Sequence, residues 1–190
     1  MIFDDIIDKN LADTIEDWFT KDTFPWYYNK TTVTNQNQFE DIAFDYPQFV
    51  HLFYKYEQGN VIKNSELADY PMELFGQFAK YKKIEEAIML RCKANLQMSV
   101  INDKKFNHPH LDLDQFHPEN YYVLLYYVND SDGDTFLFDK DYNITHSISP
   151  KKGRFLLFDG NVYHAGRHPL KNSTRIVINF DFKLPDGGLL

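Results

Sequence analysis

Cysteine is nearly missing from this sequence: Cys92 is the single one in 190 residues. No intramolecular disulfide can form, which excludes a stapled secreted scaffold and fits a reducing compartment, with the cytoplasm as the expected location. No unbroken apolar run reaches the ~18 residues that a membrane-spanning helix needs. The opening stretch MIFDDIIDKN is acidic, and its apolar run is too short for a secretion signal. Positive charge is in short supply as well. Lys and Arg number 20 against 28 Asp and Glu, leaving a net charge of −8. Such a surface repels phosphate backbones, so nucleic acid is not an expected partner; without a spanning run, neither is a membrane. Internal repeats, low-complexity tracts and linkers are absent. The expectation is therefore a single domain over residues 1–190.

What is abundant is aromatic: 17 Phe and 13 Tyr within a 43% hydrophobic composition promise a large aromatic core. Helical periodicity dominates the first half, a helical support over residues 1–85. Leu11, Ile15, Trp18 and Phe19 recur at helical spacing behind Asp8 or Asn10 as N-cap. A second helix is expected after Asp69, with Pro71 in its first turn and Met72, Phe75, Phe78 and Ala79 on one face. Residues 47–56 read as a third helix, and FPWYYN at 24–29 as a strand. From Leu90 the period becomes two. Leu90, Cys92, Ala94, Leu96, Met98 and Val100 alternate strictly with polar neighbours. Strands follow at 121–128, 135–139, 144–148, 154–158 and 175–184, with NDSDGD at 129–134 as a turn. Helices first and evenly spaced strands later suggest an α+β, mainly β architecture: an antiparallel barrel core over about 88–184 with the helices on one outer face.

The stretch HPHLDLD, 108–114, concentrates candidate ligands. His110 and Asp112 stand at i and i+2, which in extended chain point the same way and can reach one ion. Two ligands are too few. His164, after the apolar strand FLLF, is the candidate third. Two neutral imidazoles and one carboxylate on one face make the facial triad of non-haem Fe(II) oxygenases. The remaining histidines have plainer readings. His108 enters the same strand, and His117 and His168 each precede a proline in a solvated loop. His51 and His146 read as surface or packing residues, and Asp114 as a brace for its loop. The segment STRIVINFDFKL then carries Arg175, Val177, Asn179 and Asp181 on the face opposite Ile176, Ile178, Phe180 and Phe182. A solvated sheet face would look the same. If that face lines a cavity, Arg175 needs an anion there, and its planar fork suits a carboxylate.

The motifs LRCKANL, HPHLD, LLYYVNDSDGDTFLFD, KKGRFLLFDGNVYHAG and STRIVINFDF, in this order, resemble the 2-oxoglutarate and Fe(II)-dependent oxygenases of the prolyl 4-hydroxylase-like group. Their wording is most similar to small phage-type members, which would put the protein in a host cytoplasm. DGDT at 132–135 departs slightly from the paired glycines usual in that turn. The resemblance implies a double-stranded β-helix. It makes His110, Asp112 and His164 the iron ligands. Arg175 would hold the distal carboxylate of 2-oxoglutarate, and Tyr126 would hydrogen-bond the same group, although a packed barrel tyrosine would read alike. Tyr127, of opposite parity, would point out of the cavity. Asn179, and with it Asn95, would contact co-substrate or substrate. The activity implied is hydroxylation with O2, release of succinate and CO2, and ascorbate in support.

The substrate implied is a prolyl or other peptidyl residue. The alternatives are a small metabolite, a barrel that only binds, and a zinc hydrolase, which would leave Arg175 unexplained. Nucleic-acid demethylation fits poorly, because Asp181 stands where such enzymes carry a second arginine. Specificity is expected from about Trp26 to Asp45, where KTTVTNQNQ would form a lid or a plain loop, and from the loop 114–120. The sequence carries no signal of oligomeric state.

Overall fold

The computed structural model describes residues 1–32, 43, 45–101, 105–113 and 121–185. Two antiparallel sheets, flanked by two helices, make up the fold, and neither sheet closes into a barrel. The larger sheet contains β1 (Ile2–Phe3), β2 (Tyr27–Asn29), β3 (Gln48–Glu57), β4 (Asn60–Lys63), β5 (Ile88–Met98), β6 (Tyr121–Tyr127), β9 (Phe155–Asp159) and β11 (Thr174–Lys183). They lie in the order β1-β9-β6-β11-β5-β3-β2, and β4 pairs with β3. The smaller sheet has the order β10-β7-β8, formed by His164–Gly166, Thr135–Phe138 and Ile144–Ile148. This is the arrangement expected of a double-stranded β-helix, with the helices on one side.

Helix α1 (Lys9–Thr20) begins at Asp8, whose carboxylate accepts from the Leu11 amide at 2.9 Å. That bond satisfies one of the free amides of the first turn. Ala12, Ile15 and Phe19 form its buried face. Helix α2 (Asp69–Lys82) buries Pro71, Leu74, Phe75 and Phe78, and ends at Lys83 in the left-handed conformation. Both helices cover one face of the large sheet through Cys92, Ala94, Tyr122, Leu124, Tyr126, Phe155, Ile178, Phe180 and Phe182. Val123, Leu125, Tyr127, Leu156, Phe158 and Val177 on the other face meet Leu137 and Ile148 of the small sheet. The site lies between the sheets.

Three sequence expectations change here. Residues 47–56 are not a helix: all but Pro47 lie in β3. A register shift between Leu52 and Tyr54 breaks its period of two, which is why the pattern did not read as a strand. Strict alternation in β5 fails at Leu90. Opposite the shift at Asp181/Phe182, Leu90 turns into the inter-sheet cluster while Met89 joins the helix-side core. The strand expected at 24–29 is confined to β2. Among the described residues, no helix is long and apolar enough to cross a membrane.

Candidate metal centre and co-substrate cleft

β10 starts at His164, and the segment before Asp112 runs antiparallel to it. His110 and His164 exchange backbone hydrogen bonds of 3.0 Å in both directions. This bridge sets their rings 4.6 Å apart. Each ring is oriented from behind: Nδ1 of His110 faces the carbonyl of His108 at 3.0 Å, and Nδ1 of His164 faces that of Val162 at 3.3 Å. A donor proton on Nδ1 leaves the Nε2 lone pair free on each ring, the tautomer a metal requires. Asp112 completes the group. Its Oδ1 is 3.8 Å from His110 Nε2 and its Oδ2 is 3.4 Å from His164 Nε2. One ligand atom from each of the three residues lies within 4.8 Å of the others, so the set could hold one ion.

The electrostatics fit a cation. Burial pushes His110 down to about 4, helped by the neighbouring His164, so the ring is neutral and ready to donate its lone pair. Burial would raise Asp112, but Arg91 and the two imidazoles hold it well below the usual carboxylate range. Arg91 clamps this acid: its Nη2 pairs with Asp112 Oδ1, and its Nη1 donates to the Asp112 carbonyl at 3.1 Å. Its Nε donates to Asp181 at 2.7 Å. Asn179 donates to the other oxygen of Asp112 at 3.2 Å, and Asn95 donates to Asn179 at 2.9 Å. Asn179 thus touches the acid of the candidate metal group.

A cleft opens from this centre toward Arg175. Arg175 is 4% exposed. Its Nε donates to the Gly133 carbonyl at 2.7 Å, Nη1 to Gln97 Oε1 at 2.9 Å and Nη2 to Thr135 Oγ1 at 2.7 Å. All three acceptors are neutral. A buried guanidinium without a carboxylate partner among the described residues is the complement of an anionic ligand. Two glycines make room for it. A Cβ on Gly166 would lie 3.2 Å from Nη1, and one on Gly133 would lie 2.9 Å from Cδ. The residues present therefore fit both a divalent ion and a carboxylate-bearing co-substrate.

The tyrosines exchange places relative to the sequence reading. Tyr126 packs against Phe155 in the helix-side core, where its hydroxyl is buried without a hydrogen-bond partner among the described residues. Tyr127 is buried between the sheets, behind Thr135 and Arg175 of the cleft wall. Its hydroxyl donates to Thr135 Oγ1 at 2.8 Å, and its ring lies 5.9 Å from the Arg175 guanidinium carbon. His168 is not solvated: it is 4% exposed and its Nδ1 meets the Met98 carbonyl at 2.9 Å. His51 is a packed residue held between Pro25 and Ser65, and His146 is exposed. His108 stays outside the three-residue group. Asp114, His117, the loop 114–120 and residues 33–42 and 44 of the expected lid lie outside the described residues. Sequence reasoning missed Arg91, Gln97, Thr135 and Tyr127. The polar alternation of β5 was the signal for the first two, since it puts Arg91 and Gln97 on the same face as Asn95.

Residues 96–183 match the family described as the 2OG-Fe(II) oxygenase superfamily. No curated protein matches the chain. Solved structures do. An oxidoreductase of the 2OG-Fe(II) oxygenase family from Burkholderia pseudomallei is 14% identical with a TM-score of 0.69, over 96% of this chain and 83% of the other. The viral collagen prolyl hydroxylase of Paramecium bursaria Chlorella virus-1, in its 2OG complex, is 17% identical with a TM-score of 0.54, over 97% and 96%. A Trichoplax adhaerens prolyl hydroxylase, complexed with a hypoxia inducible factor peptide fragment, is 12% identical with a TM-score of 0.59, over 96% and 82%. At these identities the likeness is one of fold.

Proposed function

We propose, from the match of residues 96–183 to the 2OG-Fe(II) oxygenase superfamily, that the chain hydroxylates a prolyl or other peptidyl residue. The class is that of the oxidoreductase dioxygenases, and its cofactors are Fe(II) and 2-oxoglutarate. The observation that carries the reading is the pairing of His110, Asp112 and His164 with a buried Arg175 that has no acid of its own, at the two ends of one cleft.

In this reading His110 and His164 would hold iron through Nε2 and Asp112 through a carboxylate oxygen. When bound, iron and the 2-oxo acid supply the oxidising chemistry, which releases succinate and CO2 and puts one oxygen atom of O2 into the substrate. The chain's own residues supply placement. Arg175 takes the distal carboxylate of the co-acid in its fork, exchanging neutral acceptors for a charged one. Tyr127 and Thr135 fix the guanidinium plane from one side and Gln97 from another. Arg91 and Asn179 hold the two oxygens of Asp112, so the acid cannot swing away from the centre. Phe158, whose ring lies 5.0 Å from His164, keeps water from that side. A small-molecule substrate is the second reading, favoured by the polar lining that Thr32, Gln48, Asn95 and Asn107 give the cleft.

The test is succinate formation from 2-oxoglutarate with Fe(II), ascorbate and O2, alongside mass spectrometry of peptide pools for products one oxygen heavier. Wild type is expected to form succinate and a heavier peptide, and Asp112→Ala neither. Succinate formation undiminished in Asp112→Ala would refute the assignment. Heavier small molecules with no heavier peptide would select the second reading.

A further inference from the structure

The proposed chemistry leaves one cation of the cleft unused. Lys93 lies on the cleft face of β5, in register with Asn179, which contacts Asp112. It stands at the metal end. Arg175 pairs with Gln97 on the same strand, four residues on, which is roughly 13 Å at a strand's rise. Lys93 makes no hydrogen bond or ion pair among the described residues. The acids beside it, Asp112 and Asp181, are both bound by Arg91. Lys93 is half-buried, and a partly desolvated ammonium whose neighbouring acids are already engaged, among the described residues, is completed by a ligand that brings its own negative charge.

A second group stands next to it. Asp112, as an anion, can only accept, so Asn179 must present its Nδ2 to it, and its Oδ1 must then accept from Asn95 Nδ2. That chain of bonds fixes the Asn95 amide and leaves its Oδ1 without a partner, in a residue 7% exposed that lines the cleft. Among the described residues, a cation with no hydrogen-bonded acid and an acceptor with no donor sit two residues apart on one strand face. Their complement is an anion that carries an N–H or O–H donor close by. An α-amido or α-hydroxy carboxylate is such an anion.

Resting on the oxygenase reading, we propose that Lys93 and Asn95 form a carboxylate subsite at the metal end of the cleft. The primary substrate is then a carboxylic acid with an adjacent N–H or O–H, either a free acid or the C-terminal residue of a peptide. The same Lys93 could instead take the near carboxylate of 2-oxoglutarate, and the experiment separates the two sources.

Mn(II)-loaded protein is titrated with 2-oxoglutarate by calorimetry. The saturated complex is then titrated with N-acetylglycine, N-acetyl-L-alanine and N-acetyl-L-glutamate, and with the corresponding carboxamides. The same series is run on Lys93→Met and Lys93→Arg, with thermal unfolding to confirm that each folds. Failure of wild type to bind 2-oxoglutarate sinks the oxygenase reading itself and is distinct from the outcomes for Lys93. The expected result is that at least one acid binds the loaded wild type and its amide does not. Lys93→Met should lose that binding tenfold or more while keeping 2-oxoglutarate affinity within twofold, and Lys93→Arg should restore most of it. A tenfold loss of 2-oxoglutarate affinity in Lys93→Met would assign the carboxylate to the co-substrate and overturn the substrate subsite. Unchanged 2-oxoglutarate affinity, together with no acid-selective binding or with binding indifferent to Lys93, overturns it as well.

Discussion

Replacing Arg175 by Met tests the co-substrate end of the cleft, and its two consequences have different sizes. In the free protein the guanidinium is satisfied by Gly133, Gln97 and Thr135, all neutral, while burial disfavours its charge and lowers its pKa. Removing it strands two of those acceptors but also removes a buried unpaired cation. These effects oppose each other, so the net change in stability should stay within about 1 kcal/mol. The bound state is different. A carboxylate in the fork makes two charge-assisted bonds, each about 1.5–2 kcal/mol, so their loss costs about 3–4 kcal/mol. At ~1.4 kcal/mol per decade that is a fall of two to three orders of magnitude in 2-oxoglutarate affinity. Arg175→Lys keeps the charge and loses the fork, for a fall of about tenfold. Calorimetric titration of Mn(II)-loaded protein with 2-oxoglutarate measures both, beside thermal unfolding without ligand. Arg175→Met binding 2-oxoglutarate within threefold of wild type would refute the reasoning. So would a large stability loss with affinity preserved, which would make Arg175 a strut between β11 and the 129–134 turn.

Three further outcomes rest on the same geometry. Tyr127→Phe removes the hydroxyl that fixes Thr135 beside Arg175 and should weaken 2-oxoglutarate binding severalfold. Tyr126→Phe deletes a buried, unpartnered hydroxyl and should leave binding unchanged with stability equal or up to ~1 kcal/mol higher; the opposite pattern in titration and melting would restore the original tyrosine assignment. Gly166→Ala places a methyl 3.2 Å from Arg175 Nη1 and should cost about tenfold in 2-oxoglutarate affinity, and an unaffected titration would show that the fork can yield. Because His110 is held at about 4 against an ordinary 6.5, the unfolded chain takes up a proton below pH 6.5 that the folded chain refuses until about pH 4. Metal-free stability should therefore fall across that window by up to ~3 kcal/mol. Urea melts that stay level from pH 7 to pH 4 in wild type, or fall equally in His110→Gln, would contradict it.

Much of the site was legible because its chemistry coincides with strand periodicity. Polar alternation in β11 exposed Arg175 and Asn179, and the i, i+2 spacing exposed His110 and Asp112. The tyrosine parity was not legible. β6 is buried on both faces over all seven residues, so no change of polarity shows which side meets the cleft, and Tyr126 and Tyr127 look equivalent. β3 was misread because a bulge interrupts its period. The alternation of β5 puts Arg91, Lys93 and Asn95 on one face, but what that face meets depends on cross-strand register, which brings Lys93 opposite Asn179 and which no local pattern encodes. His168 precedes a proline as a loop residue would, yet it is buried, with a bond to the Met98 carbonyl 70 residues away in the sequence.

The proposed chemistry stands on three side chains meeting at one ferrous ion. Anaerobic Fe(II) binding, with chelator competition, measures this directly in wild type and in His110→Ala, Asp112→Ala and His164→Ala. The expected result is one ion per chain in wild type and a fall of at least about a hundredfold in affinity for each variant, with folding preserved. Wild-type affinity retained in any one of the three would contradict it.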